Sequence, residues 1–410
     1  MSSSSLRFSK WLHEVCERQP QAARLLRASE DAQHRYGYYH TVREILQQPF
    51  IWTHTADQMV GLAPDLRSCV SELRHLILTG SGSSEYVGHC VRLALQNRLG
   101  VNTLAVGGGA LLTHSHHALP PGRPALLVSI ARSGDSPESV GALSLLLKTD
   151  PAIRHLVLTC NARGKLATNF QDNAGVRVVT LDEGTNDRSL VMTSSFTNLA
   201  LAAESLGYLD QPELYAKRCR QLSGIAERLL ETQFEKLGQV GTLDFERVVF
   251  LGSGPRSGAA LEAALKLLEM TAGRVGAISE TYLGLRHGPM SYMNAKTLVV
   301  CFLSQDATAR AYESDLIREI DQKNLGMMKV IMGEAVSSDL IRERDVVIEC
   351  PGLGELGECT VPVVEVMVGQ LLGLFRCIHE GLRPDLPSEN GVINRVVQSF
   401  ALHLPAGLSS

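Results

Sequence analysis

Apolar and polar positions follow two patterns along this chain. Short unbroken apolar runs, many of them β-branched, occur at RHLILTG from Arg74, ALLVSI from Ala125, HLVLTC from His155, RVVFLG from Arg247, TLVVCF from Thr297 and MKVIMG from Met328. Continuous runs of this length predict strands buried on both faces, because a strand with one wet face alternates instead. The stretches between them have apolar positions at helical spacing over ten or more residues and predict helices. Strands alternating with helices imply a parallel sheet covered by helices on both faces. Ahead of the first run, HTVREILQQPFIWTHT predicts a helix interrupted at Pro49.

The strand-like runs repeat. Both RHLILTGSG and RVVFLGSG end in Gly-Ser-Gly, and Gly80 corresponds to Gly252 at an offset of 172 residues. The same offset aligns Leu126 with Leu298 and Val157 with Lys329. The chain therefore holds two copies of one unit. The expected fold class is α/β, with two tandem domains, each a doubly wound parallel sheet of the flavodoxin-like αβα sandwich type. The division expected is a helical extension over 1–50, a first domain over 51–206, a helical linker over 207–240, a second domain over 241–385 and a tail over 386–410. Ligands of open parallel sheets bind beyond the carboxyl ends of the strands, where strand order reverses. The loops after the first and third runs of each copy are thus the places to search.

Composition narrows the partners. With 410 residues and 44% hydrophobic content the chain can build two or three cores. A net charge of -4 with interspersed signs gives no basic footprint, which argues against nucleic acid and against an anionic membrane surface. Nine cysteines without a CxxC pair suit a reducing compartment. MSSSSLRFSKW lacks the apolar core of a signal peptide, and VPVVEVMVGQLLGLF is too short for a membrane span and carries Glu365. The expected location is the cytoplasm.

Two stretches offer chemistry. In the first copy, Gly80-Ser81-Gly82-Ser83-Ser84 follows one strand, and Ser133-Gly134-Asp135-Ser136-Pro137 follows another, with Ser136 as N-cap and Pro137 opening a helix. Glycines admit an anion to backbone N–H groups, serines add donors and the helix end adds partial positive charge, a set that fits a monophosphate. One such loop alone is ordinary turn chemistry; two in one copy are not. No Walker lysine is present and GSGSSE lacks the third glycine of a dinucleotide fingerprint, so a nucleotide and NAD are not expected. His114-Ser115-His116-His117 has no neighbouring carboxylate or cysteine, and no metal is expected there.

The second stretch runs from Gly258 to Pro289. Leu261, Leu265, Leu268 and Ala272 form an apolar stripe expected to be buried, while Glu262, Lys266 and Glu269 lie on a second line about 100° round the helix. Taken alone, that line reads as solvated charges supporting one another. His287 follows in Arg286-His287-Gly288-Pro289, a tight turn expected to hold a group able to titrate near neutrality.

Together, ARSGDSPES, TNDRSLVMTSSFTNL, ALKLLE, LRHGPM and RPDLPSENGVINRVV resemble the sugar isomerase (SIS) superfamily of phosphosugar-binding domains. Within it the chain resembles the tagatose-6-phosphate ketose/aldose isomerase family, also described as galactosamine-6-phosphate deaminase/isomerase. The resemblance extends over roughly residues 40 to 398. By comparison with the isomerase half of glucosamine-6-phosphate synthase, it implies that Glu269 moves a proton between C1 and C2, that Lys266 sits near the sugar and that His287 assists ring opening. The histidine would reach the neighbouring subunit's site, so a homodimer or higher homo-oligomer is implied. Ser83, Ser84, Ser133 and Ser136 would bind the phosphate. Ala131 and Arg132 stand where the synthase pattern has serine and glutamine, and Arg132 is a further phosphate candidate as a bidentate donor. Met192 and Arg395 are candidate sugar contacts. Pro255 and Arg256 replace the serines in the second copy, which would contribute catalytic groups rather than a second phosphate pocket. The resemblance implies no cofactor.

Counterparts of the synthase's N-terminal cysteine nucleophile and C-terminal imine-forming lysine are not expected, since this sequence reads MSSSS at its start and has no lysine after Lys329. Arg395 in the comparable tail stays protonated and forms no imine. An aminosugar phosphate carries its own nitrogen, so proton transfer and hydrolysis suffice to release ammonia. The expected activity is deaminating isomerisation of galactosamine 6-phosphate to tagatose 6-phosphate. Plain aldose/ketose isomerisation and glucosamine-6-phosphate deamination remain open, and a non-catalytic phosphosugar sensor is a third reading.

Overall fold

The computed structural model describes residues 3–358, 360–388, 390–397 and 400–403. The apolar runs form strands as their patterning predicts: β1 (His75–Gly80), β2 (Asn102–Gly107), β3 (Ala125–Ala131), β4 (Ile153–Thr159) and β5 (Val176–Thr180) make one sheet. A second sheet holds β6 (Arg247–Leu251), β7 (Gly276–Glu280), β8 (Thr297–Phe302), β9 (Met328–Gly333) and β10 (Val346–Glu349). The orders are β2-β1-β3-β4-β5 and β10-β9-β8-β6-β7, and every pairing is parallel. Each sheet reverses direction between its first and third strands, β1 and β3 in one and β6 and β8 in the other. Those two clefts are the switch points of doubly wound folds.

Two compact units carry these sheets. One comprises Ile51–Asp187, Ser194–Cys219 and the described residues of Gly391–Ser410; the other comprises the described residues of Met1–Phe50, Arg188–Thr193 and Arg220–Asn390. Compactness thus groups the N-terminal fifty residues with the second sheet and the tail with the first. In the unit of the first sheet, Ile77, Leu127 and Ile153 pack with Leu111 and Leu146. In the other unit Val249, Val299 and Ile331 pack with Leu316, Ile317 and Ile320 of the helix Ala307–Gln322. The helix Pro362–His379 is long and apolar enough to cross a membrane by length and composition, yet 89% of it is buried within the fold, as suits a core helix.

Register corrects one alignment of the repeat. Leu76 pairs with Leu126 and Val248 with Leu298, which keeps the offset of 172 for the first and third strands. Leu126 then pairs with Arg154, but Leu298 pairs with Met328, so the fourth strands are related by 174 and Val157 corresponds to Ile331 rather than Lys329. A shift of two leaves every side chain on its original face, so the hydrophobic pattern could not reveal it.

The helix Arg256–Met270 departs from its expected orientation. Leu268 is 42% exposed, Leu261 and Leu265 are only partly buried and Ala272 is exposed, while Ala259, Ala260, Ala263 and Leu267 are buried together with Glu262 and Lys266. Close helix packing is the cause. A Cβ added to Gly369 would stand 2.4 Å from Ala263 Cβ, and one on Gly373 would stand 2.6 Å from Met270 Sδ. Backbones at that separation accept alanine and glycine but not leucine, so small residues win the buried face over larger apolar ones.

Candidate functional site

At the switch point of the first sheet, β1 ends at Gly80 and the helix Ser83–Leu99 begins directly after the two-residue Ser81-Gly82 turn. Gly82 is its N-cap with φ +57, a conformation that costs a side chain free energy. Gly80 permits the tight approach of the helix: a Cβ there would lie 2.5 Å from the Ser84 carbonyl carbon. Ser83 and Ser84 occupy the first helical turn and are buried. Ser81 Oγ is also buried and has no hydrogen-bond partner among the described residues. Ser81 stands within the Gly80–Ser84 loop but is not among the phosphate candidates that the sequence points to.

The second loop leaves β3 and reaches the helix Pro137–Thr149, with Ser136 as N-cap and Pro137 in its first turn as expected. The Ser136 side chain makes no capping bond. Ser133 is buried, and its Oγ accepts the Asp135 N–H at 3.2 Å, which leaves the hydroxyl proton to donate elsewhere. Arg132 is buried and its Nη2 donates to the Arg395 carbonyl at 2.7 Å. Arg395 in turn donates from Nε to the Asp187 carbonyl at 2.9 Å and from Nη2 to Asn186 Oδ1 at 2.7 Å. The tail is thereby fastened beside the loop that carries Arg132. All five phosphate candidates, Ser83, Ser84, Arg132, Ser133 and Ser136, lie on the two loops flanking this switch point, and Arg395 joins them through hydrogen bonds.

The other unit carries the charged line of the helix Arg256–Met270. Lys266 Nζ is fully buried, 3.3 Å from Glu262 Oε1 and 2.5 Å from Glu269 Oε2. Glu262 is fully buried too, whereas Glu269 keeps 22% of its side chain exposed. Burial opposes the charged form of Lys266, but the two carboxylates outweigh it and raise the ammonium's pKa. The line is therefore a charge cluster inside the fold rather than a solvated surface, and Glu269 is the member that meets solvent.

The turn at His287 is fixed at the backbone, but its ring is not held. Thr281 Oγ1 accepts the Gly284 N–H at 3.0 Å, Gly288 has φ +124 and Arg286 Nε lies 2.6 Å from Glu319 Oε2. His287 itself is exposed and makes no hydrogen bond among the described residues beyond its backbone N–H to Gly284. The expectation of a held ring is corrected: Gly288 and Pro289 turn the chain so that the ring projects outward. Met192 is buried in the segment Arg188–Thr193. His116 and His117 line a cleft with Arg123 and Asp150, and no group of three or more His, Cys, Asp or Glu side chains among the described residues is placed to hold a metal ion.

Sequence reasoning missed the partners of Arg256. This residue opens its helix, is fully buried, and pairs with Glu358 and, at 2.7 Å from its Nε, with Glu365 Oε1. Its carboxylates lie about a hundred residues away in sequence, and no local motif announces them.

Two doubly wound parallel sheets, one with serine-bearing loops at its switch point and one with a Glu-Lys-Glu cluster on the helix after its first strand, define a tandem α/β fold of the SIS type. Comparison with known proteins agrees. No protein-family model matches the chain. A Streptomyces coelicolor relative bearing the name AgaS is 37% identical over 373 residues, covering 89% of this chain and 95% of its own. The Escherichia coli D-galactosamine-6-phosphate deaminase AgaS is 34% identical over 370 residues, covering 88% and 95%. The crystal structure of tagatose-6-phosphate ketose/aldose isomerase from Escherichia coli superposes with a TM-score of 0.79 at 32% identity, covering 86% of this chain and 96% of that one. The chain belongs to the D-galactosamine-6-phosphate deaminase AgaS family of the SIS superfamily.

Proposed function

We propose that this chain is a D-galactosamine-6-phosphate deaminase, converting its substrate to tagatose 6-phosphate and ammonia. The observation that carries the reading is the 34% identity it keeps across 95% of a relative of that name. The chemistry available from its side chains supports it. In the open-chain aldehyde a base removes the C2 proton to give an enolamine, and reprotonation at C1 gives a ketimine. Water adds to the ketimine carbon, and the C–N bond breaks to leave the ketose and ammonia. Glu269 is the proton carrier in this reading: it is ionisable, partly exposed and held in place by its ion pair with Lys266. Lys266 orients and balances it from beneath.

Ser83, Ser84, Ser133 and Ser136, with Arg132, hold the phosphate in the same reading, supported by their grouping at one switch point. His287 assists ring opening. Its exposure and its lack of a side-chain partner among the described residues support a role toward a neighbouring subunit, and hence a homodimer or larger homo-oligomer; the cytoplasm is the location this reading proposes. Arg395 holds the tail by the phosphate loop rather than forming an imine.

Plain aldose/ketose isomerisation is the second reading, favoured by the likeness to the tagatose-6-phosphate ketose/aldose isomerase structure. Incubating purified protein with galactosamine 6-phosphate and assaying ammonia separates the two. Ammonia that disappears in Glu269→Gln supports deamination; interconversion of phosphosugars with no ammonia sinks it.

A further inference from the structure

The switch point of the second sheet is not empty chemistry. It repeats the backbone construction of the first with different side chains. A Cβ on Gly252 would lie 2.4 Å from the Arg256 carbonyl oxygen, as one on Gly80 would lie 2.5 Å from Ser84. Arg256 is thus the structural counterpart of Ser84, at the repeat offset of the first and third strands. Across the cleft, β8 leads through Leu303-Ser304-Gln305-Asp306 into the helix Ala307–Gln322, in the place where β3 leads through the loop at Arg132–Ser136.

The donors of this cleft converge on one group. Glu358 Oε1 accepts the N–H of Gln305 at 2.6 Å and the N–H of Asp306 at 3.0 Å, while Oε2 pairs with the guanidinium Nη1 of Arg256. Two adjacent backbone N–H groups before a helix, opposed by a fully buried guanidinium, are the donor set of an oxyanion site. Arg256 Nη2 is buried without a hydrogen-bond partner among the described residues, so the guanidinium keeps a donor to spare. Glu365 pairs with its Nε from the other side. Ser304, next to the two donors, gives its N–H and hydroxyl to Glu313 and fixes the loop.

We infer that the second copy retains an oxyanion pocket at its switch point, and that the chain closes it with its own Glu358 carboxylate in the position a phosphate group would take. A tethered carboxylate has an effective local concentration on the order of millimolar or more, so it excludes a free phosphate that must pay for its own association. Each chain then presents one phosphate site rather than two, and the pocket anchors the first turn of the helix that carries Lys266 and Glu269. The comparison with the first copy rests on the phosphate reading of its serine loops; the pocket itself rests on Glu358 and its donors.

The test is calorimetric titration of inorganic phosphate, at constant ionic strength, into the full-length wild-type protein and into Glu358→Ala. The variant is expected to bind one more phosphate per chain than the wild type, whatever number the wild type binds. No phosphate on the wild type and one on the variant would uphold this inference while sinking the phosphate role of the first copy. Equal numbers on a folded variant overturn it. Glu358→Gln, whose amide still fills the cleft, is expected to melt at a lower temperature than the wild type and to gain no site; a wild-type melting temperature or an added site in this variant overturns the inference. Should Glu358→Ala fail to fold in phosphate-free buffer, saturable recovery of cooperative melting by phosphate upholds it, and no recovery overturns it.

Discussion

Lys266 Nζ stands 2.5 Å from Glu269 Oε2, an ion pair whose cation is fully buried and whose carboxylate reaches solvent. The two are three positions apart on one helix, so the pair is built into a single rigid turn. Glu262 completes it one turn earlier, 3.3 Å from the same nitrogen. Lys266 is thus held between two carboxyl groups, and the exposure of Glu269 makes it the member of the cluster that can meet a ligand.

Replacing Glu269 by Gln is expected to lower the rate of ammonia release by about 10²- to 10⁴-fold, the usual contribution of a positioned acid/base group. Stability measured by urea denaturation should change by less than about 1 kcal/mol, because Glu262 still pairs with Lys266. Near-wild-type turnover in the variant would remove Glu269 from the mechanism.

Lys266→Met should act differently. It strands the fully buried Glu262 without its cation, and the loss of one partner of a buried pair destabilises by about 3–5 kcal/mol. Adding Glu262→Gln to the same chain should recover more than about 1 kcal/mol of that loss, since contacting residues couple rather than add. Strictly additive urea midpoints would show that the cluster is not the electrostatic unit described.

His155 predicts an acid-side dependence of stability. It lies buried in β4, both ring nitrogens lack partners among the described residues, and burial lowers its pKa to about 4, with Asp150 opposing weakly. The unfolded chain has the ordinary value near 6.5, so it binds more protons than the folded chain between about pH 4 and 6.5. A depressed value contributes stability that is present above the unfolded pKa and lost as pH falls toward the folded one, about 3 kcal/mol across this window at about 1.4 kcal/mol per unit. Urea melts of His155→Leu should lose this slope; an unchanged slope would assign it to other groups.

Arg395→Met is expected to free the tail from Asn186 and Asp187 and to loosen the loop that Arg132 shares with it. KM for the phosphosugar should rise about tenfold, worth about 1.4 kcal/mol, with a smaller change in kcat. Arg395→Lys should not restore it, because an ammonium cannot reproduce the two-nitrogen fork that serves Asp187 and Asn186 together. Restoration by lysine would indicate that charge alone matters.

The strands were legible because burial on both faces demands continuous apolar runs, and the duplication was legible because both copies keep a strand ending in Gly-Ser-Gly. The serine loops were legible for the same reason: Gly80, Gly82 and Pro137 answer to local backbone needs that any sequence displays. Resemblance to a family then pointed to Lys266, Glu269 and His287, which spacing alone would have left as surface charges and a turn.

Three features were decided only in the folded chain. The buried face of the helix Arg256–Met270 went to alanines and charges because Gly369 and Gly373 bring another helix too close for leucine. The offset of the fourth strands moved by two residues, which the in-out alternation of side chains cannot register. Arg256 found Glu358 and Glu365 across long stretches of sequence. Hydrophobic period and turn chemistry are local and can be read from the amino-acid sequence; the pairing of buried charges depends on which distant groups share a low-dielectric space, and only the tertiary structure settles that.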